Sequence, residues 1–352
     1  MSNKLPKLKY KHGLVFGKFM PLHEGHLHLL RFARSSCEKL TILVCSLPTE
    51  PIPGDVRFAW VKEAMPDAEV IHHDDIIPQE PSEHPNFWQI WHDSIRAHCP
   101  HAKFDALFGS EDYGWKMAEV MGIEYVPVNR LRTLVPISGT EVRRDPMKAW
   151  SFIPSVARPY FVKRVRIVGP ESSGKSTLTI DLAREFETVF VEEYARGLLD
   201  EYVAHREYKP GEVRYEDIST IGRGQLVSEE SMARIANRVL FCDTDLMTTV
   251  FWSNFYFGRC PGWIAKKAQE RKYDLTLLLS PDVPWIQDAQ RPMPDLKERQ
   301  AFFNWWEAEL KRRDEPYVVI RGDWKERWIS AVKAVEALGV RKTAARDKIT
   351  IK

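Results

Sequence analysis

Apolar and polar positions along the chain fall into blocks that predict strand and helix in turn. Gly13–Gly17 is a buried-strand run, and Leu27, Leu30 and Ala33 then share one side of a helix. Leu40–Cys45 predicts a second strand, Val56–Ala64 a helix, and Ala106–Gly109 and Glu124–Val128 further strands. Pro48 to Gly54 forms a loop, Pro78, Pro81 and Pro85 mark an irregular segment, and Phe87–His98 reads as an aromatic helix. The pattern restarts at Phe161. Val165–Val168 predicts a strand, and Leu178, Leu182 and Phe186 recur at helical spacing. Thr188–Val191, Val239–Cys242 and Leu275–Leu279 are the strands that follow, with a helix around Arg299 after them. Strands alternating with helices predict an α/β fold of parallel sheets flanked by helices.

A chain of 352 residues is longer than one hydrophobic core usually serves. Two domains, 1–158 and 159–352, are expected, because Pro154 and Pro159 interrupt any continuous element between them. The 51 Lys and Arg nearly balance 49 Asp and Glu, a formal charge of +2 that supplies no field for nucleic acid or a membrane surface. Any anion site must therefore be local. The five cysteines are scattered, odd in number and without C-x-x-C spacing, which argues against a zinc knuckle or a disulfide framework. No apolar run approaches the roughly 20 residues of a membrane span. A cytoplasmic protein with reduced thiols is the expectation, and nothing excludes a homo-oligomer.

Gly169-Pro170-Glu171-Ser172-Ser173-Gly174-Lys175-Ser176 fits the phosphate-loop pattern G-x-x-x-x-G-K-[ST] and joins a predicted strand to a predicted helix. In that geometry the backbone N–H groups from Gly169 to Thr177 cradle nucleotide phosphates. Lys175 reaches the outer phosphates and the Ser176 hydroxyl meets Mg²⁺. The next strand delivers Glu192, Glu193, Tyr194 and Arg196 to its carboxyl end, where open α/β sheets bind ligands. Asp243, at the end of a third strand, is placed to meet the same Mg²⁺, although it or Asp245 could instead cap the following helix. Arg291 and Arg299 flank a Pro-bracketed loop and suggest a lid over ATP, or else are ordinary surface charges.

The first half carries a second constellation. His23-Glu24-Gly25-His26 lies where the first strand's exit loop meets a helix, so two imidazoles can donate to a phosphate that Gly25 lets approach closely. Imidazoles are also metal ligands, but no third ligand is evident nearby. Ser138 and Glu141 form a capping-box pattern, and a short helix starting there with Ser138, Thr140 and Arg143 is also a site for polyphosphate.

Gly17 to His26 and Ile137 to Arg143 resemble the paired signatures of the HxGH nucleotidyltransferase superfamily, with Gly139 in place of the second serine of the usual I-S-S-T-x-x-R motif. The resemblance implies a Rossmann-like domain in which an acceptor phosphate attacks the α-phosphate of ATP and pyrophosphate leaves. It implies His23 and His26 at the α-phosphate and Lys18, Ser138, Thr140 and Arg143 toward the β- and γ-phosphates, with Gly17, Phe19 and Gly25 also at ATP. Joined to a phosphate-loop half bearing Glu193 to Arg196, Cys242 to Asp245 and Asp288 to Arg291, the chain resembles the bifunctional NadR-type enzymes over nearly its whole length. These are nicotinamide-nucleotide adenylyltransferases fused to ribosylnicotinamide kinases. The resemblance implies nicotinamide riboside, nicotinamide mononucleotide (NMN), ATP and NAD as small-molecule partners. The kinase step must deprotonate a ribose hydroxyl, and a carboxylate at the end of the second strand is placed to accept that proton: Glu193 is the candidate base, with Glu192 as the neighbouring alternative, and Arg196 and Asp288 are expected at the substrate. Gly169, Ser172, Ser173, Gly174, Ser176, Thr177 and Arg299 would contact ATP. Trp88 and Trp91 could stack on a nicotinamide ring or serve the core. Ala289 departs from the usual glycine after the lid aspartate. The few residues before Gly13 leave no room for the helix-turn-helix repressor domain of some members, so repression is not expected. The alternatives are the same chemistry on a flavin-type or pantetheine-type acceptor, and a nucleotide-sensing regulator without turnover.

Overall fold

The computed structural model describes residues 9–131, 133–285 and 295–340. The chain divides into two compact units, 1–157 and 158–352. Each is built on its own parallel five-stranded sheet.

In the first unit the strands are β1 (Tyr10–Gly17), β2 (Cys37–Cys45), β3 (Glu69–His73), β4 (Ala106–Gly109) and β5 (Glu124–Pro127). The helices are α1 (Glu24–Ser36), α2 (Gly54–Ala64), α3 (Phe87–His98), α4 (Gly114–Met121) and α5 (Gly139–Arg144). The sheet order β3-β2-β1-β4-β5 puts β1 at the centre. The chain winds outward to β3 and then crosses to β4, so the carboxyl ends of β1 and β4 flank the point where the winding reverses. The Leu14, Leu43 and Leu107 side chains pack with Phe87, Trp91 and Ile95 of α3 and Met117 of α4 into one core.

The second unit holds α6 (Arg158–Phe161), β6 (Lys163–Val168), α7 (Lys175–Glu185), β7 (Phe190–Val191), α8 (Tyr194–Ala204), α9 (Asp217–Ile235) and β8 (Val239–Asp243). It continues with α10 (Leu246–Phe257), α11 (Gly262–Glu270), β9 (Leu275–Leu279), α12 (Leu296–Arg312), β10 (Tyr317–Ile320) and α13 (Trp324–Glu336). The order is β10-β9-β6-β8-β7. Every residue of β8 and β9 is buried, as expected for central parallel strands covered on both faces. Val168 and Leu278 meet Phe302, Phe303 and Trp306 of α12 and Leu246 and Met247 of α10 in the main apolar cluster.

Four departures from the sequence pattern are edge effects or extensions. β3 and β10, which the pattern does not reveal, are edge strands. β3 carries Glu69, His72 and His73 in a half-buried run rather than an apolar block. β7 is only two residues long, not Thr188–Val191, because Thr188 turns to donate its hydroxyl to the Val239 carbonyl at 2.6 Å. β2 begins three residues before Leu40, at Cys37, paired with Tyr10.

Candidate active sites

The first cleft opens at the carboxyl ends of β1 and β4, with a volume of about 740 Å³. Lys18, Phe19, His23, Gly25, His26, Ser138, Thr140 and Arg143 all line it, together with Gly17, Trp88 and Trp91. His23 is the N-cap of α1: its Nδ1 accepts the His26 backbone N–H at 3.3 Å. In the neutral ring an accepting Nδ1 leaves the proton on Nε2, so His23 presents an N–H donor. The His23 and His26 rings stack with centroids 3.7 Å apart, and Phe19 meets His26 edge-on. A Cβ at Gly25 would stand 3.0 Å from His23 Nδ1 and Cε1, so a side chain there would press on this stack.

α5 begins with the capping box that its sequence predicts. Glu141 N–H donates to Ser138 Oγ, while Ser138 N–H donates to the Glu141 carboxylate. Arg143 donates to the Met20 carbonyl and, at 3.2 Å, to Thr140 Oγ, which ties α5 to the loop after β1. Gly139 fits this contact, since a Cβ there would lie 2.6 Å from the Met20 carbonyl oxygen. The missing serine of the usual motif is thus matched by a close backbone approach.

The same loop is held from below by Arg57, which is completely buried. It donates to the carbonyls of Lys18 at 2.6 Å, Cys45 and Ile52 at 3.0 Å, and to Glu50 at 2.5 Å. Glu50 also pairs with Lys18 at 2.9 Å. Burial works to raise the Glu50 carboxyl, yet the Leu47 N–H, Lys18 and Arg57 together hold it below its ordinary range. Lys18 therefore reaches the cleft already paired. Trp91 is largely taken up by packing: its indole N–H donates to the Pro78 carbonyl at 2.8 Å, and its ring stacks on His73 and Phe16. Trp88 lines the same cleft and is only partly buried.

The second cleft, about 270 Å³, lies over the loop between β6 and α7. Gly169, Ser172, Ser173, Gly174, Lys175, Ser176 and Thr177 line it with Glu193 and Arg196. Gly169 and Gly174 have φ of +150° and +86°, and a Cβ on Gly169 would come within 2.7 Å of the Leu279 carbonyl. Glycine is required at both places. Lys175 Nζ donates to the Pro170 carbonyl at 3.1 Å and Ser173 Oγ to the same oxygen at 2.7 Å, so the loop is closed by its own side chains.

Ser176 Oγ donates to Asp243 Oδ2 at 2.5 Å, while the buried Oδ1 has no hydrogen-bond partner among the described residues. Burial first, and then the charge of Glu193, push the Asp243 carboxyl up to about 6 against the pull of Lys175 and Ser176. An unpartnered buried carboxylate oxygen beside a hydroxyl is a donor set suited to a hard divalent cation. Asp245 has a different duty: it caps α10 and pairs at 2.6 Å with the buried Arg166, which also contacts Glu315. Glu193 faces the phosphate-loop cleft, and Glu192 lies instead along a separate groove beside β7.

Two residues were not evident as parts of this site. Arg327 is fully buried and donates to the carbonyls of Ser173 and Ser280 at 2.9 Å each, and to Asp282. It joins the phosphate loop to the segment after β9. Gln225 of α9 lines the cleft and accepts from the Tyr194 N–H at 3.1 Å. Neither shows in local sequence, because a single Arg or Gln on a helix reads as solvated surface. Arg299 is neither a surface charge nor a cleft-lining residue: it is buried at the start of α12 and donates to the Val283 carbonyl at 3.5 Å. Asp288, Ala289 and Arg291 lie outside the described residues.

Residues 14–145 match the cytidylyltransferase-like family and residues 164–327 match an AAA domain family. The trifunctional NAD biosynthesis/regulator proteins NadR of Salmonella typhimurium and Escherichia coli are each 29% identical to the chain, over 95% of its length and 85% of theirs. The nicotinamide-nucleotide adenylyltransferase of Thermococcus onnurineus is 23% identical over 44% of the chain and 84% of its own. The solved structures of a NadR protein in complex with NR and of one in complex with NAD and AMP-PNP align at TM-scores of 0.76 and 0.74. Each is 23% identical, covers 97% of this chain and 99% of its own, and shares the two-sheet fold.

Proposed function

We propose that this chain, a NadR-type protein in the kind and order of its two domains, makes NAD in two consecutive steps. The second unit phosphorylates nicotinamide riboside with ATP, and the first adenylylates the resulting NMN with release of pyrophosphate. In the kinase step Glu193 accepts the proton of the ribose hydroxyl as that oxygen attacks the γ-phosphate. Lys175 and the N–H groups of the loop from Gly169 to Thr177 hold the transferring phosphoryl group, and Arg196 faces the substrate. Ser176 and Asp243 would hold Mg²⁺, consistent with the unpartnered Asp243 Oδ1. An ion held there would supply neutralisation of charge on the phosphates.

In the adenylylation step the NMN phosphate is already ionised, so positioning and charge stabilisation carry the reaction. His23 and His26 donate to the α-phosphate, while Thr140, Ser138 and Arg143 hold the leaving pyrophosphate with Lys18. Lys18 exchanges Glu50 for phosphate when ATP binds. Trp88 is the better candidate for contact with the pyridine ring, because Trp91 is engaged by His73, Phe16 and Pro78. With ATP and pyridine nucleotides as substrates, and five unpaired cysteines, the protein belongs in the cytoplasm. Among the described residues no helix is long and apolar enough to cross a membrane.

The observation that carries this function is the presence in one chain of both constellations, each at the reversal point of its own sheet, in an order shared with NAD biosynthesis proteins over 95% of the chain. Separate half-reaction assays test it. Lys175→Ala should abolish phosphorylation of the riboside and leave adenylylation of supplied NMN. His26→Ala should do the reverse. Loss of both activities in either variant would overturn the assignment of one step to each unit.

A further inference from the structure

Outside both clefts, the end of β3 and the last turns of α3 bring together three groups that sequence keeps apart: His73, Asp75 and His98. Their facing atoms, two imidazole nitrogens and a carboxylate oxygen, all lie within 4.8 Å of one another. His73 Nε2 is 3.8 Å and His98 Nδ1 3.7 Å from Asp75 Oδ2. In a tetrahedral site with metal–ligand bonds of about 2.0–2.1 Å, neighbouring ligand atoms are roughly 3.3–3.4 Å apart. Closing the set thus needs each imidazole to approach Asp75 by a few tenths of an ångström, and the two imidazole nitrogens to approach each other by up to about 1.4 Å. Among the described residues it is the only group of three such ligands.

The surroundings are those of a built site. His73 is buried and its ring lies flat on Trp91, with centroids 5.5 Å apart and planes within 7°. Ser94, one turn before His98, is buried between the ligands: its hydroxyl donates to Asp75 Oδ2 at 2.5 Å and meets His73 Nε2 at 2.7 Å. His98 Nδ1 lies 3.1 Å from the Ser94 carbonyl. With the Ser94 proton on Asp75, the His73 Nε2 proton points at Ser94 Oγ, and the His98 Nδ1 proton at the carbonyl. A cation entering the cluster needs both nitrogens as lone-pair donors. Moving each proton to the other nitrogen of its own ring provides this without a change in net protonation.

We propose that His73, Asp75 and His98 form a binding site for a divalent transition ion of the zinc type, with Ser94 as the hydrogen-bonded partner that orients Asp75. Two imidazoles and one carboxylate suit zinc and cobalt better than magnesium or calcium, which favour all-oxygen sets. The ion would join β3 to α3 and fix the segment between them. That segment contributes Gln79, Glu80 and Pro81 to the wall of the first cleft, and Pro78 to Trp91. Its effect on the cleft rests on the adenylylation function proposed above; its binding does not.

The test is titration of the full chain with Co²⁺ in the absence of nucleotide, followed by visible absorption and stoichiometry. One Co²⁺ per chain should bind with d–d bands of a four- or five-coordinate site, and Zn²⁺ should displace it. His98→Ala and Asp75→Asn should each weaken binding by tenfold or more. His92→Ala, a half-buried histidine on the same helix, and His26→Ala in the first cleft should bind as the parent does. Zn²⁺ should also raise the melting temperature of the parent but not of Asp75→Asn, a near-isosteric change that keeps the fold if His98→Ala does not. Absence of Co²⁺ binding at micromolar concentration would overturn the proposal. So would undiminished binding by Asp75→Asn, or loss of the spectrum on His26→Ala.

Discussion

Replacing Asp243 by Asn should stabilise the protein while abolishing riboside phosphorylation. The carboxyl is buried, one oxygen has no partner among the described residues, and its folded-state value of about 6 stands against an ordinary 3.8. That difference makes the charged form roughly 3 kcal/mol less favourable in the folded chain. Between about pH 4 and pH 6 the folded chain binds more protons than the unfolded one, so stability falls as pH rises through that window, and the full cost is present above it. Asparagine carries no charge, and its side-chain oxygen can still accept from Ser176. It exchanges one unpartnered buried atom for another, so most of the gain should survive, about 2 kcal/mol at pH 7.5. Urea unfolding of the full chain, in chelator and without nucleotide, measures it at pH 7.5 and pH 5. The stability difference should be clear at pH 7.5 and should shrink markedly at pH 5, where the parent's Asp243 is itself mostly protonated. Mg²⁺ with ATP should narrow the difference at pH 7.5 by binding the parent more strongly. If the variant is no more stable at pH 7.5, or the difference is unchanged at pH 5, then Asp243 is not a buried charge awaiting a cation.

Other outcomes follow from single contacts. Gly139→Ser, which restores the usual motif, should lower adenylylation tenfold or more without affecting phosphorylation, because its Cβ would lie 2.6 Å from the Met20 carbonyl oxygen; half-reaction assays read this directly. Arg327→Leu should cost about 3–5 kcal/mol in urea unfolding, since it leaves Asp282 and the Ser173 and Ser280 carbonyls without their buried donor. Glu193→Gln should reduce kcat for phosphorylation by about 10²-fold or more, and Glu192→Gln by less than threefold, because only Glu193 lines the phosphate-loop cleft.

Both clefts were legible in the chain because their chemistry is local. The Gly169 to Ser176 loop and the His23 to His26 turn each follow a strand whose last residues are mainly apolar, and short-range spacing places their groups. The central strands β8 and β9 were readable for the same reason: burial on both faces leaves only Thr276 and the terminal Asp243 as polar positions in them. Edge strands β3 and β10 are only partly covered; the mixed composition of β3 hides it, and β10 is a run of only four residues. The buried arginines were beyond local pattern. Arg57 holds Lys18 from 39 residues away and Arg327 holds Ser173 from 154, so their burial is decided by tertiary partners that no periodicity encodes. The His73, Asp75 and His98 group is hidden likewise, since β3 and α3 meet only in the folded sheet layer.

The most direct test of two consecutive activities in one chain is incubation of the parent protein with nicotinamide riboside, ATP and Mg²⁺, with mass analysis over time. The account predicts that the mononucleotide rises first and the dinucleotide NAD follows, with ADP and pyrophosphate as the other products. Absence of both products, or mononucleotide that is never converted while ATP remains, would contradict it.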